Sequence, residues 1–276
     1  MSHSISYGIL SRREAWLCLV VGVLLLGWFW YSRDAAVRVP SSETNVEKWF
    51  HQGLLYSRGE GVERDMTQAA KLWKLAAEQG LPEAQYNLGC CYAEGDGVEK
   101  NAAEAVRWYR LAAERGFANA QLNLGVAYES GEGVEENAAE AVCWYRLAAK
   151  QKNADALCNL GCCCFDGIGV AKDVSQAAKF WTLAAEQGHA DAQYNLGCYY
   201  AAGDGVERDM TQAVKFWTLA AEQGVRDAQY NAGLCYANGD GIAKDVSKAV
   251  KFWTLAAEQG LPQARERLDN LSNSKE

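Results

Sequence analysis

Ten cysteines, three histidines and a recurring series of aspartates are the residues in this chain best suited to build an active site. A cysteine beside a histidine would be a nucleophile with its base, and spaced cysteines with a histidine would hold zinc. The spacing here fits neither. Cys162, Cys163 and Cys164 are contiguous, which suits one ion poorly, and no histidine stands near them. His3 lies near the N-terminus, and His51 and His189 stand where structural units begin. The cysteines are therefore expected as small apolar core residues. Asp65, Asp173, Asp209 and Asp245 are a carboxylate series, but each precedes a helix-like stretch and reads as a cap. The Gly-x-Gly-Val turns join helix to helix with no preceding strand, so they do not form a nucleotide loop. No catalytic residue, metal ligand or cofactor is expected, and the chain is not read as an enzyme.

The elements that place these residues repeat. Gly53, Gly89, Gly125, Gly161, Gly197 and Gly233 follow one another at steps of 36 residues. Gly80, Gly116, Gly188, Gly224 and Gly260 keep the same beat, with Lys152 in the missing place. Six units fill 45–260, and a half unit with a short tail closes the chain at 261–276. Self-similarity at this period marks a solenoid, in which no unit covers its apolar face alone and stacking does so.

Each unit reads as two antiparallel helices. In 82–94, Ala84, Leu88, Cys91 and Tyr92 share one face at helical spacing, and Pro82 suits a first turn. Gly95-Asp96-Gly97 stops that helix. Asn101 with Glu104 looks like a capping box, as do Asp65/Gln68, Asn137/Glu140, Asp173/Gln176 and Asp209/Gln212. The second helix is expected to bury Ala105, Trp108, Leu111 and Ala112 before Gly116 ends it.

These residues carry a resemblance. Ala84, Leu88, Gly89 and Tyr92 give A-x-x-x-L-G-x-x-Y, and Gly95, Gly97 and Val98 give G-x-G-V. With the Asn or Asp cap, Trp108-Tyr109, Leu111-Ala112-Ala113 and Gly116, the unit resembles the Sel-one-like repeat family, a relative of the tetratricopeptide repeats. The resemblance implies an all-α solenoid of helix-turn-helix repeats forming a right-handed superhelix. It also implies an adaptor or scaffold that binds protein partners, with extended peptide segments held on a concave face lined by first helices. Some cysteine-rich members staple each helix pair with a disulfide, and that pattern is absent here. A hydrolase of the kind claimed for such members, or a purely structural spacer, are the alternatives. Lys152, Cys164 for the tyrosine, and Ile168 between loop glycines are departures expected to disturb the junction of the third and fourth units.

One surface series stands out. Asn87, Asn123, Asn159, Asn195 and Asn231 sit two residues before the first glycine of five successive units. Asparagine costs several tenths of a kcal/mol in a helix relative to alanine. Two readings stay open: amides that grip a partner's backbone, with Tyr86, Tyr194 and Tyr230 beside them, or structural hydrogen bonds to the neighbouring unit. The formal charge of −8 disfavours a phosphate backbone, so nucleic acid is not an expected partner.

The N-terminal region is different. A short polar tail, 1–14, precedes the apolar, uncharged run 15–31, whose Trp28, Phe29, Trp30 and Tyr31 resemble an interfacial belt. That run would span about 25 Å as a helix, the lower limit for a bilayer. It is read as an uncleaved single-pass transmembrane anchor, with 32–44 as a linker to the repeats. Arg12 and Arg13 before the run nearly balance Arg33 and Arg38 after it. Export of the repeats is the favoured orientation; the unpaired cysteines argue for the cytoplasmic one.

Overall fold

The computed structural model describes residues 44–273. The expected membrane anchor at 15–31, the tail before it and the linker up to residue 43 lie outside the described residues. Among the described residues the chain is all α, with 13 helices and no strand, and no helix there is long and apolar enough to cross a membrane. From Trp49 onward they form one compact unit.

The helices are α1 (Asn45–Arg58), α2 (Met66–Glu78), α3 (Pro82–Glu94), α4 (Ala102–Glu114), α5 (Ala118–Ser130), α6 (Ala138–Lys150) and α7 (Ala154–Asp166). They continue as α8 (Val174–Ala185), α9 (Ala190–Ala202), α10 (Met210–Glu222), α11 (Arg226–Asn238), α12 (Val246–Glu258) and α13 (Pro262–Asn273). Odd-numbered helices open a repeat and even-numbered ones close it. From α2 on, each packs chiefly on its neighbours in sequence. That is the nearest-neighbour arrangement of a solenoid.

The glycine beat marks where two helices touch. A Cβ at Gly89 would lie 2.6 Å from the Tyr109 ring, and one at Gly125 2.5 Å from the Tyr145 ring. The same seat holds Trp73 on Gly53, Trp181 on Gly161, Trp217 on Gly197 and Trp253 on Gly233. Where two aromatics adjoin, as in repeats two to six, the second thus takes the seat. Trp108 is buried as expected, but Leu111 is only half-buried, and its equivalents Leu75, Leu147, Leu183 and Leu219 are exposed. Adjacent residues point about 100° apart on a helix. With Tyr109 and Ala112 turned inward, Leu111 cannot follow them.

The caps form only half of the expected box. Asp65, Asn101, Asn137, Asp173, Asp209 and Asp245 each accept from the backbone N–H three residues on, at 2.9–3.1 Å. The return bond from the Glu or Gln side chain is replaced. The backbone N–H of Asn101 donates to the carbonyl of Tyr92 at 2.8 Å, and that of Asp209 to Tyr200 at 3.0 Å. Four more caps bond the residue nine places earlier in the same way. The cap thereby ties the end of one helix to the start of the next.

A row of buried glutamines fastens repeat to repeat. Gln85, Gln121, Gln193 and Gln229 are at most 5% exposed. Their Nε2 groups donate to the carbonyls of Ala77, Ala113, Ala185 and Ala221, at 3.1–3.4 Å, in the preceding repeat. Their Oε1 atoms accept from the residue ending the second helix of their own repeat. Gln151, Gln223 and Gln259 donate there at 2.8–2.9 Å, and Arg115 at 3.1 Å. Each glutamine so bonds both second helices that flank it, and no buried amide atom of the pair is left unmatched.

The junction expected to be irregular keeps its backbone and loses this amide. Lys152 takes φ +63, the left-handed conformation of the glycines it replaces. Its N–H donates to Ala149 at 2.9 Å and that of Asn153 to Ala148, so the turn is intact. Buried Leu157 stands where four of the other repeats carry glutamine, and Gln187 instead bonds Leu183 of its own helix.

Candidate functional site

The asparagine series occupies one position on five opening helices, and all five side chains are half-buried. Each precedes a leucine or alanine that is fully buried, and stands two residues from the glycine seat. This places the amides beside the groove between one repeat and the one before it. Asn195 Nδ2 donates to Cys162 Sγ across that groove at 3.6 Å. Asn123 reaches the hydroxyls of Tyr86 and Tyr109, and Asn159 that of Tyr145. Three of the five amides therefore touch the preceding repeat. Asn87 and Asn231 hold the equivalent places on α3 and α11.

The tyrosines beside them are not alike. Tyr86 packs at 5.2 Å from Phe117 and 6.0 Å from Tyr109, and burial raises its phenol to about 12. Burial raises Tyr194 as well, helped by Cys198. Tyr230 offers its backbone carbonyl to Trp253 Nε1 at 3.2 Å. Neither the Tyr86 nor the Tyr194 phenol ionises near neutral pH.

Two clefts open along this series. One of about 220 Å³ lies between repeats two and three and is lined by Asn123, Tyr109 and Val126. Another of about 290 Å³ lies between repeats four and five and is lined by Cys162, Trp181, Asn195, Cys198 and Asp204. The hydrogen bond from Cys158 pulls the Cys162 thiol below its ordinary value against the opposing effect of burial, while Cys158 is itself raised. Nine cysteines in the described residues are unbridged; Cys91, Cys158, Cys163, Cys164 and Cys235 are buried, and Cys143 is exposed.

The histidine in the described repeats nearest these thiols is structural. His189 Nδ1 accepts from the Ala192 N–H at 3.2 Å and so caps α9. That leaves the proton on Nε2, which faces Asp155 Oδ1 at 3.0 Å. Asn153 does the same one repeat earlier, capping Ala156 N–H and donating to Asn119. Among the described residues no cluster of His, Cys, Asp and Glu is arranged to hold a metal ion.

Stacked helical hairpins, with a glycine-seated aromatic in each and an inter-repeat groove, define a repeat solenoid. Consecutive matches to the Sel1 repeat model cover residues 53–81, 82–117, 118–153, 154–189, 190–225 and 226–261, and the chain belongs to the Sel1 repeat family. It is similar to a solved Sel1 repeat protein from Oxalobacter formigenes, with 34% identity, a TM-score of 0.75, and coverage of 82% of this chain and 65% of that one. It is also similar to c5321, a protective antigen of uropathogenic Escherichia coli displaying an SLR fold, with 33% identity and a TM-score of 0.53. There the match covers 82% of this chain and 56% of the other. The chain thus spans somewhat under two thirds of both. No match was found among curated proteins. Sel1 repeat proteins in general mediate protein–protein interactions.

The buried glutamines were missed in the sequence, although Gln85, Gln121, Gln193 and Gln229 share the 36-residue beat. A polar residue at a fixed place between buried alanine and leucine was the available signal.

Proposed function

We propose that this chain is a membrane-anchored, non-catalytic scaffold whose opening helices line the concave face of a right-handed superhelix and hold extended segments of protein partners. The observation that carries this reading is the run of grooves beside Asn123 and Asn195, where half-buried amides sit against apolar walls. Asn87, Asn159, Asn231, Tyr86, Tyr194 and Tyr230 extend the same surface. A half-buried amide keeps a donor or acceptor for a partner's backbone even while its other end bonds the preceding repeat. The apolar run at 15–31 supplies the anchor, and the repeats lie on the exported side.

The test has two arms. Asn159→Ala with Asn195→Ala should weaken capture of a partner by photo-crosslinkers placed at Tyr194, while helicity and melting stay unchanged. A large loss of stability would make the amides structural and overturn the binding reading. A compartment-sensitive reporter fused at the C-terminus reads the topology; activity on the cytoplasmic side would overturn export.

A further inference from the structure

The fourth repeat has lost a tyrosine, and the groups that hold that ring elsewhere are still there. At Tyr128, in repeat three, the phenol oxygen accepts from Arg110 Nη2 at 2.8 Å, and the guanidinium sits 5.5 Å from the ring centroid. At Tyr200 and Tyr236 the ring stacks on Phe216 and Phe252, with centroids 5.9 Å apart. The equivalent residues one repeat along are Arg146, Cys164 and Phe180. A thiol cannot reach where a phenol reached. Among the described residues Arg146 has no hydrogen-bond acceptor and Phe180 no stacked ring.

A cavity of about 780 Å³ opens there, lined by Arg146, Cys164 and Phe180 with Leu157, Leu160 and Leu183. Its rim is cationic in a chain that carries −8 overall. Lys150 and Lys172 join Arg146, facing only Asp173, whose carboxylate already caps α8. Lys150 is a reversal specific to this place: the other five repeats carry Glu78, Glu114, Glu186, Glu222 and Glu258. A glutamate here would repel the ligand that the other two cations attract.

We propose that this pocket accepts a tyrosine side chain from an acidic segment of a protein partner. The partner's ring takes the vacant place against Phe180, its hydroxyl accepts from Arg146, and flanking carboxylates meet Lys150 and Lys172. The surface is separate from the asparagine series, so either site stands or falls without the other.

A fluorescein-labelled peptide with one tyrosine between glutamates, and its alanine counterpart, serve as probes on the full chain in detergent. Fluorescence polarisation should show the tyrosine peptide bound at least tenfold more tightly, with affinity falling as salt rises. Cys164→Tyr fills the pocket from within; it should abolish that preference and raise the melting temperature. Lys150→Glu, an exposed change, should weaken binding about tenfold with melting unchanged, and it decides the matter if Cys164→Tyr does not fold. Equal affinity for the two peptides, or a tyrosine-peptide affinity unchanged by Lys150→Glu, would overturn the proposal.

Discussion

Gly197 lies flush against the indole of Trp217, so that a Cβ on the glycine would overlap the ring at Cδ1 and Nε1. The contact joins the two helices of repeat five, and Trp217 is only 7% exposed. Gly197→Ala must push the indole or the helices apart. Overpacking of this kind costs about 1–3 kcal/mol, more than the roughly 1 kcal/mol alanine gains over glycine in a helix. Urea denaturation should show a net loss. An unchanged midpoint would mean the seat is soft.

Lys152 holds φ +63 where the equivalent turns have glycine. A left-handed backbone costs a non-glycine residue roughly 1–2 kcal/mol. Lys152→Gly should therefore stabilise the chain, offset in part by the extra freedom glycine brings to the unfolded state. The expected gain is about 0.5–1 kcal/mol, read as a higher urea midpoint. A loss would show that the lysine side chain makes a contact worth more than the strain.

Gln229 is 3% exposed, donates to Ala221 and accepts from Gln259. Gln229→Ala leaves the buried Ala221 carbonyl short of a bond, at a cost of about 1–3 kcal/mol. Gln259→Ala removes only the exposed donor and should cost less. Reversing that order in thermal melts would show that the amide row does not fasten the repeats.

Cys162 should react as a thiolate at lower pH than an ordinary cysteine, because the Cys158 thiol donates to it. Its alkylation rate, followed by mass spectrometry of tryptic peptides, should climb at a lower pH than that of the exposed Cys143. Removing the donor with Cys158→Ala should move the climb to higher pH, since the largest lowering effect is then gone and only that of Trp181 still opposes burial. A profile indifferent to that change would exclude the hydrogen bond as the cause.

The sequence alone determined the repeat, the two helices of each unit, their caps and the glycines that end them. Those features are local: a cap bonds an N–H three residues away, and a turn glycine answers to its own φ. The glycine beat also showed where helices meet, since a helix interior has no local use for glycine at every thirty-sixth place. The tertiary structure decided what each side chain faces. Trp108 and Tyr109 are neighbours of similar character, and only the packed pair puts Tyr109 on Gly89 and leaves Leu111 half outside. Gln85 satisfies groups eight residues back and thirty residues ahead, which no local pattern connects. Cys164 read as one departure from a motif; its consequence, a cavity beside Arg146 and Phe180, exists only where three helices converge. Short-range chemistry shapes each repeat, and complementarity between repeats, set by atoms far apart in the chain, assigns its surfaces.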